Sequence, residues 1–154
     1  MKDRYLFKAK RIDNGEWVQG YLYGIWEKRY ILWGMTNDVP NMIEVDPSTI
    51  CQYTGLKDKN DKLIWENDIV RDAHGNFYAA FYYNNYYQFS WICVKSDIFL
   101  AGAIWNLWSF HSFEVEVIGN IFDNSDLLGI NTQNDSSRHW LEKYIEENDR
   151  EKRD

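Results

Sequence analysis

Two aromatic runs, Phe77 to Tyr83 and Tyr86 to Val94, flank Asn84-Asn85. Rings this dense favour extended backbone, and a pair of asparagines tolerates the positive φ of a two-residue hairpin loop. With Asn84-Asn85 as that loop, Tyr83 pairs with Tyr86, Tyr82 with Tyr87, Ala80 with Phe89 and Tyr78 with Trp91. One face then carries Tyr78, Ala80, Tyr82, Tyr87, Phe89 and Trp91, all suited to a core. The other carries Ala79, Phe81, Tyr83, Tyr86, Gln88 and Ser90, a mixed face expected to be partly wet or covered by another segment or subunit.

The flanking chain extends the β pattern. Tyr5, Phe7 and Ala9 alternate with Arg4, Lys8 and Lys10, Asn14-Gly15 signals a tight turn, and Trp17 to Tyr23 resumes, so residues 4–23 read as a hairpin. Short strands follow at Arg29–Trp33 and Met42–Val45, with a polar loop through Thr36, Asn37, Asp38 and Pro40. The charged run from Gly55 to Lys62 is a turn, Glu66-Asn67-Asp68 turns into a strand at Ile69-Val70, and His74-Gly75-Asn76 turns again. Residues 96–113 fit helix and extended chain equally. Glu114 to Ile118 alternates as a strand with an acidic outer face, and Gly119-Asn120 ends it. After a polar linker over 129–136, Trp140, Leu141, Tyr144 and Ile145 recur at helical spacing behind a Ser136 or Ser137 cap.

A chain of 154 residues with eight Trp, eleven Tyr and eight Phe can build a core without staples. Cys51 and Cys93 lie far apart without CxxC spacing and read as buried free thiols. Charges interrupt the first eight residues, where a secretory signal needs an apolar run, so the expected location is cytoplasmic. The longest apolar run, Ile98 to Trp105, is eight residues long against the roughly 20 that a spanning helix needs, so no membrane association is expected. The net charge of −7 disfavours general affinity for nucleic acid, although residues 1–30 carry seven Lys/Arg against four Asp/Glu.

Chemistry-bearing patterns are sparse. Asp58 to Asp61 superficially resembles a calcium loop, but Lys62 occupies the third ligand position and the Gly and Glu offsets are missing, so no metal is expected. Glu66 with Asp68, and Glu114 with Glu116, sit two apart on a strand face; solvated outer charge outweighs paired-carboxylate catalysis as their reading. His74, His111 and His139 have no metal or nucleophile spacing, and no phosphate loop is present, so neither a cofactor nor a catalytic residue is assigned. Phe81, Tyr83 and Tyr86 form the candidate interaction surface. They could stack single-stranded bases, but no Lys or Arg lies between Asn76 and Val94, so protein contact is the favoured reading.

The run Ile50-Cys51-Gln52-Tyr53-Thr54-Gly55-Leu56-Lys57-Asp58-Lys59-Asn60, followed by Ile64-Trp65-Glu66-Asn67-Asp68-Ile69-Val70, resembles the central signature of the YopX family. Glu116 to Asn124 with Leu127-Leu128 is similar to the family's ending, and Trp17-Val18-Gln19-Gly20 also fits. Asp61 and Asn67 stand where the family usually has glycine; both residue types tolerate positive φ, so the turns are expected to survive. The resemblance implies a protein carried by phages and prophages, forming homo-oligomers, with no catalytic or ligand residue to carry over.

The expected fold is mainly β, between all-β and α+β. A YopX-like part spans 1–128, with a hairpin subdomain over 1–49 and a small SH3-like or partly open barrel over 50–128, and a linker and helix follow over 129–154. The expected function is non-enzymatic interaction or self-assembly, with a phage or host protein as partner. A nucleic-acid-binding module and a small-substrate enzyme are the alternatives.

Overall fold

The computed structural model describes residues 3, 5–109, 111 and 114–128, so the expected linker and helix of 129–154 lie outside the described residues. The chain is mainly β and antiparallel, and it divides after Tyr53 into two compact units.

The first unit contains β1 (Leu6–Lys10), β2 (Trp17–Ile25), β3 (Lys28–Thr36) and β4 (Val39–Val45), followed by a 3-10 turn at Pro47–Thr49 and the start of β5 (Cys51–Lys57). Its strand order is β4-β3-β2-β1-β5. The expected first hairpin forms, with Leu6 opposite Tyr21 and Lys10 opposite Trp17. Gly15 takes φ +73° in its turn. Instead of a polar loop, β3 and β4 are joined by Asn37-Asp38 alone, with φ of 50° and 61°. Two successive positive φ values give the primed turn whose twist matches the strands, and Asn and Asp are the side chains that accept it most cheaply.

Strict alternation then separates the two faces. Ala9, Ile31, Val45 and Ile50 are buried on one face, with Phe7, Val18, Leu22 and Ile43 packed against them. Gly20 allows β3 to approach closely, because a Cβ there would lie 2.0 Å from the Leu32 carbonyl oxygen.

The second unit takes up β5 from Thr54, whose hydroxyl donates to the Ile64 carbonyl at 2.6 Å. It continues with β6 (Leu63–Trp65), β7 (Asp68–Arg71), β8 (Phe77–Tyr83), β9 (Gln88–Lys95), β10 (Ile104–Asn106) and β11 (Glu116–Asn120). The sheet order is β10-β9-β8-β7-β11. The sheet is open, with β10 and β11 as its edges, and does not close into the expected barrel. Its burial pattern explains the difference. Val70, Tyr78, Ala80, Trp91 and Cys93 are buried on one face, and Ile69, Ala79, Phe81, Ile92 and Val94 on the other. A small barrel turns one face of each strand to solvent, whereas a sheet with two apolar faces needs a layer on each side.

The aromatic hairpin forms with a four-residue connection, 84–87, in place of a two-residue loop. Tyr83 pairs with Gln88, Tyr82 with Phe89, Ala80 with Trp91 and Tyr78 with Cys93. This register, shifted by two, preserves the faces and sets the small Ala80 against the large Trp91, while Tyr82 and Phe89 meet edge to face at 5.4 Å. Tyr86 and Tyr87 leave the ladder for the turn, where Tyr87 has φ of 53°. In the stretch without an assigned state, Ile104–Asn106 is extended beside β9 and Leu107–Ser109 is a 3-10 turn.

Candidate functional site

The signature segment holds carboxylates in positions that organise turns. Asp58 is 4% exposed. Its Oδ1 accepts the N–H groups of Asn60 at 2.8 Å and Lys62 at 2.9 Å, and its Oδ2 accepts that of Val117 at 2.9 Å. Burial pushes its carboxyl up, but the three backbone donors outweigh burial and hold it below the usual carboxylate range. Asp58 thus closes its own loop and fastens the start of β11 to it.

Glu66 and Asp68 are buried, contrary to the expectation of solvated charge on an outer strand face. The reason is local: the turn between β6 and β7 folds inward. Asp68 Oδ2 accepts the Trp65 N–H at 2.9 Å, the Asn67 N–H donates to Ala80 and the Asn67 carbonyl accepts from Ile121. Asp61 and Asn67 have φ of 66° and 69°, so the residues in the glycine positions adopt the left-handed backbone that the sequence anticipates.

Two more acids are committed nearby. Asp72 accepts the backbone N–H groups of His74 and Asn76, together with the Asn76 amide and the Tyr78 hydroxyl. Burial, followed by the charge of Asp72, pushes the Tyr78 hydroxyl well above its ordinary value. Glu116 bridges Arg71 at 3.0 Å and Lys59 at 3.2 Å on the surface. Glu114 is exposed. Cys51 and Cys93 are buried free thiols, as the sequence implies, and burial pushes the Cys93 thiol up.

The proposed interaction residues separate. Phe81 is 2% exposed and belongs to the core, covered by Ile121 and Leu128 with Phe122 and Leu127 alongside, so it offers no surface. The face read as mixed is apolar at its centre because the chain after β11 returns across it. Tyr83 and the exposed Tyr86 meet edge to face at 5.3 Å and line a half-open cleft of about 340 Å³. Ile104 and Trp105 form its apolar part, and Ser90, Asn106 and Ser109 its polar part. Ser90 is 1% exposed, and its hydroxyl has no hydrogen-bond partner among the described residues. An orphaned buried hydroxyl costs about 1–3 kcal/mol, a cost that calls for a reason.

Sequence reading missed a second surface. On the outer face of the first unit the registers align Leu6, Tyr21, Leu32 and Met42 in one row across four strands. Tyr23 and Tyr30 form the next row beside Glu44, and Ile25 and Lys28 the row after that. Tyr21, Tyr23 and Met42 are about half exposed, and Trp26 at the β2–β3 turn is 85% exposed. On the other side of the apolar row, Lys8 and Lys10 lie 4.8 and 5.4 Å from the centre of the Trp17 ring. The alternation Tyr21-Leu22-Tyr23 signals two apolar faces, but only strand order reveals that four strands stack their outer apolar residues in line. Lys8, Lys10, Arg11, Lys28 and Arg29 belong to this unit, and the aromatic hairpin belongs to the other.

No helix among the described residues is long and apolar enough to cross a membrane. No curated protein matches the chain. The family model described as YopX protein matches residues 6–129, which include the Asp58 loop, the Glu66-Asn67-Asp68 turn and β11. With most of its length so matched, the chain belongs to the YopX family.

Proposed function

We propose that this YopX protein is a phage or prophage accessory protein that works in the bacterial cytoplasm without catalysis, through protein contacts that include contacts between its own copies. The apolar row Leu6-Tyr21-Leu32-Met42 carries the reading. Four strands about 4.8 Å apart, with β2 running about 30 Å, present a face of about 500 Å² in outline, the larger part of the roughly 800 Å² per partner of a specific interface. The commitment of Asp58 and Asp68 to backbone donors supports the non-catalytic part, since catalysis needs such groups held toward a substrate.

Light scattering after size exclusion tests the reading, comparing the native chain with Tyr21→Ser/Met42→Ser. The expected result is a defined oligomer that dissociates in the variant, with its circular dichroism unchanged. A native monomer, or an oligomer that survives the substitutions, overturns it. A monomer that binds single-stranded oligonucleotide at low salt, and loses it when Lys8, Lys10 and Arg11 are neutralised, would replace self-association with nucleic-acid binding.

A further inference from the structure

Resting on the self-association put forward above, we propose that Trp26 is the anchor by which one copy of this chain holds a second, and that the first unit gives up stability to display it. Ile25 pairs with Lys28, so β2 and β3 are joined by Trp26-Glu27 alone. Trp26 is the first of those two residues and has φ of 50°. The primed turns of short hairpins need positive φ there and favour Asn, Asp or Gly, because a bulky side chain in the left-handed region crowds its own backbone.

The same unit contains the less strained solution. At the β3–β4 turn Asn37 occupies the equivalent position, also with φ of 50°. An indole in place of that amide is strained, and packing does not offset the strain. Trp26 is 85% exposed, and its ring makes no aromatic or cation–π contact among the described residues. Backbone strain on a side chain that the fold does not use points to a role in binding. The turn is held ready for that role, because Arg29 Nη1 donates to the carbonyl oxygens of Trp26 at 2.8 Å and Lys28 at 3.0 Å. A fixed turn leaves little backbone to order when a partner arrives.

Area and charge both select a second copy as the partner. The exposed Tyr21, Tyr23 and Ile25 carry the outer apolar face of β2 up to the turn. That face, about 500 Å² in outline, falls short of the roughly 600 Å² per partner at which specific interfaces begin. A buried indole adds about 150–250 Å², which brings the sum to about 700 Å² and inside the range. Tryptophan is also among the residues that most often dominate the binding energy of an interface. Around the turn Glu27 and Glu44 balance Lys28 and Arg29, with Lys28 bridged to Glu44 at 3.5 Å, so no surplus of cations is offered to a phosphate backbone.

The test joins a dilution series of the full chain, followed by light scattering, to thermal unfolding. Trp26→Asn should weaken association tenfold or more, and Trp26→Phe, which keeps a ring, should weaken it less. Stability is read in the Tyr21→Ser/Met42→Ser background, where dissociation of copies does not enter the melting temperature. There Trp26→Asn should raise the melting temperature by about 2–4 °C, because asparagine accepts the positive φ. The two effects have opposite signs, which a residue serving the fold alone would not give. Unchanged association of Trp26→Asn, in a chain that Tyr21→Ser/Met42→Ser dissociates, overturns the anchor and leaves the apolar row standing. Association lost in Trp26→Asn but kept in Tyr21→Ser/Met42→Ser supports the anchor and overturns the row. A lower melting temperature for Trp26→Asn in the dissociated background makes the indole part of the fold and overturns the anchor, and a native chain that stays monomeric at every concentration overturns both.

Discussion

Changing Asp58 to asparagine removes a charge from a turn and almost no volume. The amide oxygen can still accept from Asn60 and Lys62, but the amide nitrogen then faces the Val117 N–H, donor against donor. Val117 is partly buried, so an orphaned N–H there costs about 1–3 kcal/mol. The other two bonds fall from charge-assisted to neutral strength, which adds about 1 kcal/mol because Asn60 and Lys62 are exposed and water shares their donors. The expected loss is about 3 kcal/mol, read as a urea midpoint lower by about 1–2 M at unchanged slope. The sign of the pH dependence follows from the lowered folded pKa of Asp58. Its stabilisation is fully present above the unfolded value of about 3.9 and is lost as pH falls through the lower folded value. The asparagine variant should therefore lose less stability than the native chain on acidification below about pH 4. A midpoint change equivalent to less than about 0.5 kcal/mol, or an unaltered acid slope, would refute the role given to this carboxylate.

Gly20→Ala places a Cβ 2.0 Å from the Leu32 carbonyl oxygen, so it should cost more than about 3 kcal/mol and disrupt the β2–β3 pairing, read by circular dichroism and amide exchange. At Asp61, with φ of 66°, glycine should be neutral or stabilising by up to about 1 kcal/mol and valine destabilising by about 1–2 kcal/mol, measured as urea midpoints. Trp91→Ala empties a site of zero exposure and should cost about 3–5 kcal/mol by the same assay. Cys51 and Cys93 should resist a thiol reagent in the native state and react together only on unfolding; fast labelling of either would contradict their burial.

Strand identity was legible wherever one face is polar. Tyr5-Phe7-Ala9 against Lys8-Lys10 gave the first hairpin, and Asn14-Gly15 gave its turn. The aromatic hairpin was legible in its faces but not in its register, because a shift of two leaves every side chain on its side and only packing distinguishes the options. The choice fell to Trp91, which meets Ala80 in the observed register and Tyr78 in the expected one. The open sheet was illegible for a related reason: Phe81 and Tyr83 read as a half-wet face until Ile121 and Leu128, some forty residues later, are known to lie across it.

The same long-range closure bears on function. Acidic residues in a recurrent motif invite a catalytic reading, and spacing alone cannot separate a carboxylate aimed at a substrate from one aimed at its own backbone. Asp58 distinguishes the two by its partner Val117, which is 59 residues away. A turn-forming acid needs only local donors, whereas one that also fastens β11 has both oxygens occupied. The signature of the family therefore encodes the frame of the second unit. The surface proposed for self-association lies outside that signature, in the row of apolar side chains across β1 to β4. Variation in that row should alter assembly while stability holds, whereas variation at Asp58 or Asp68 should alter stability first.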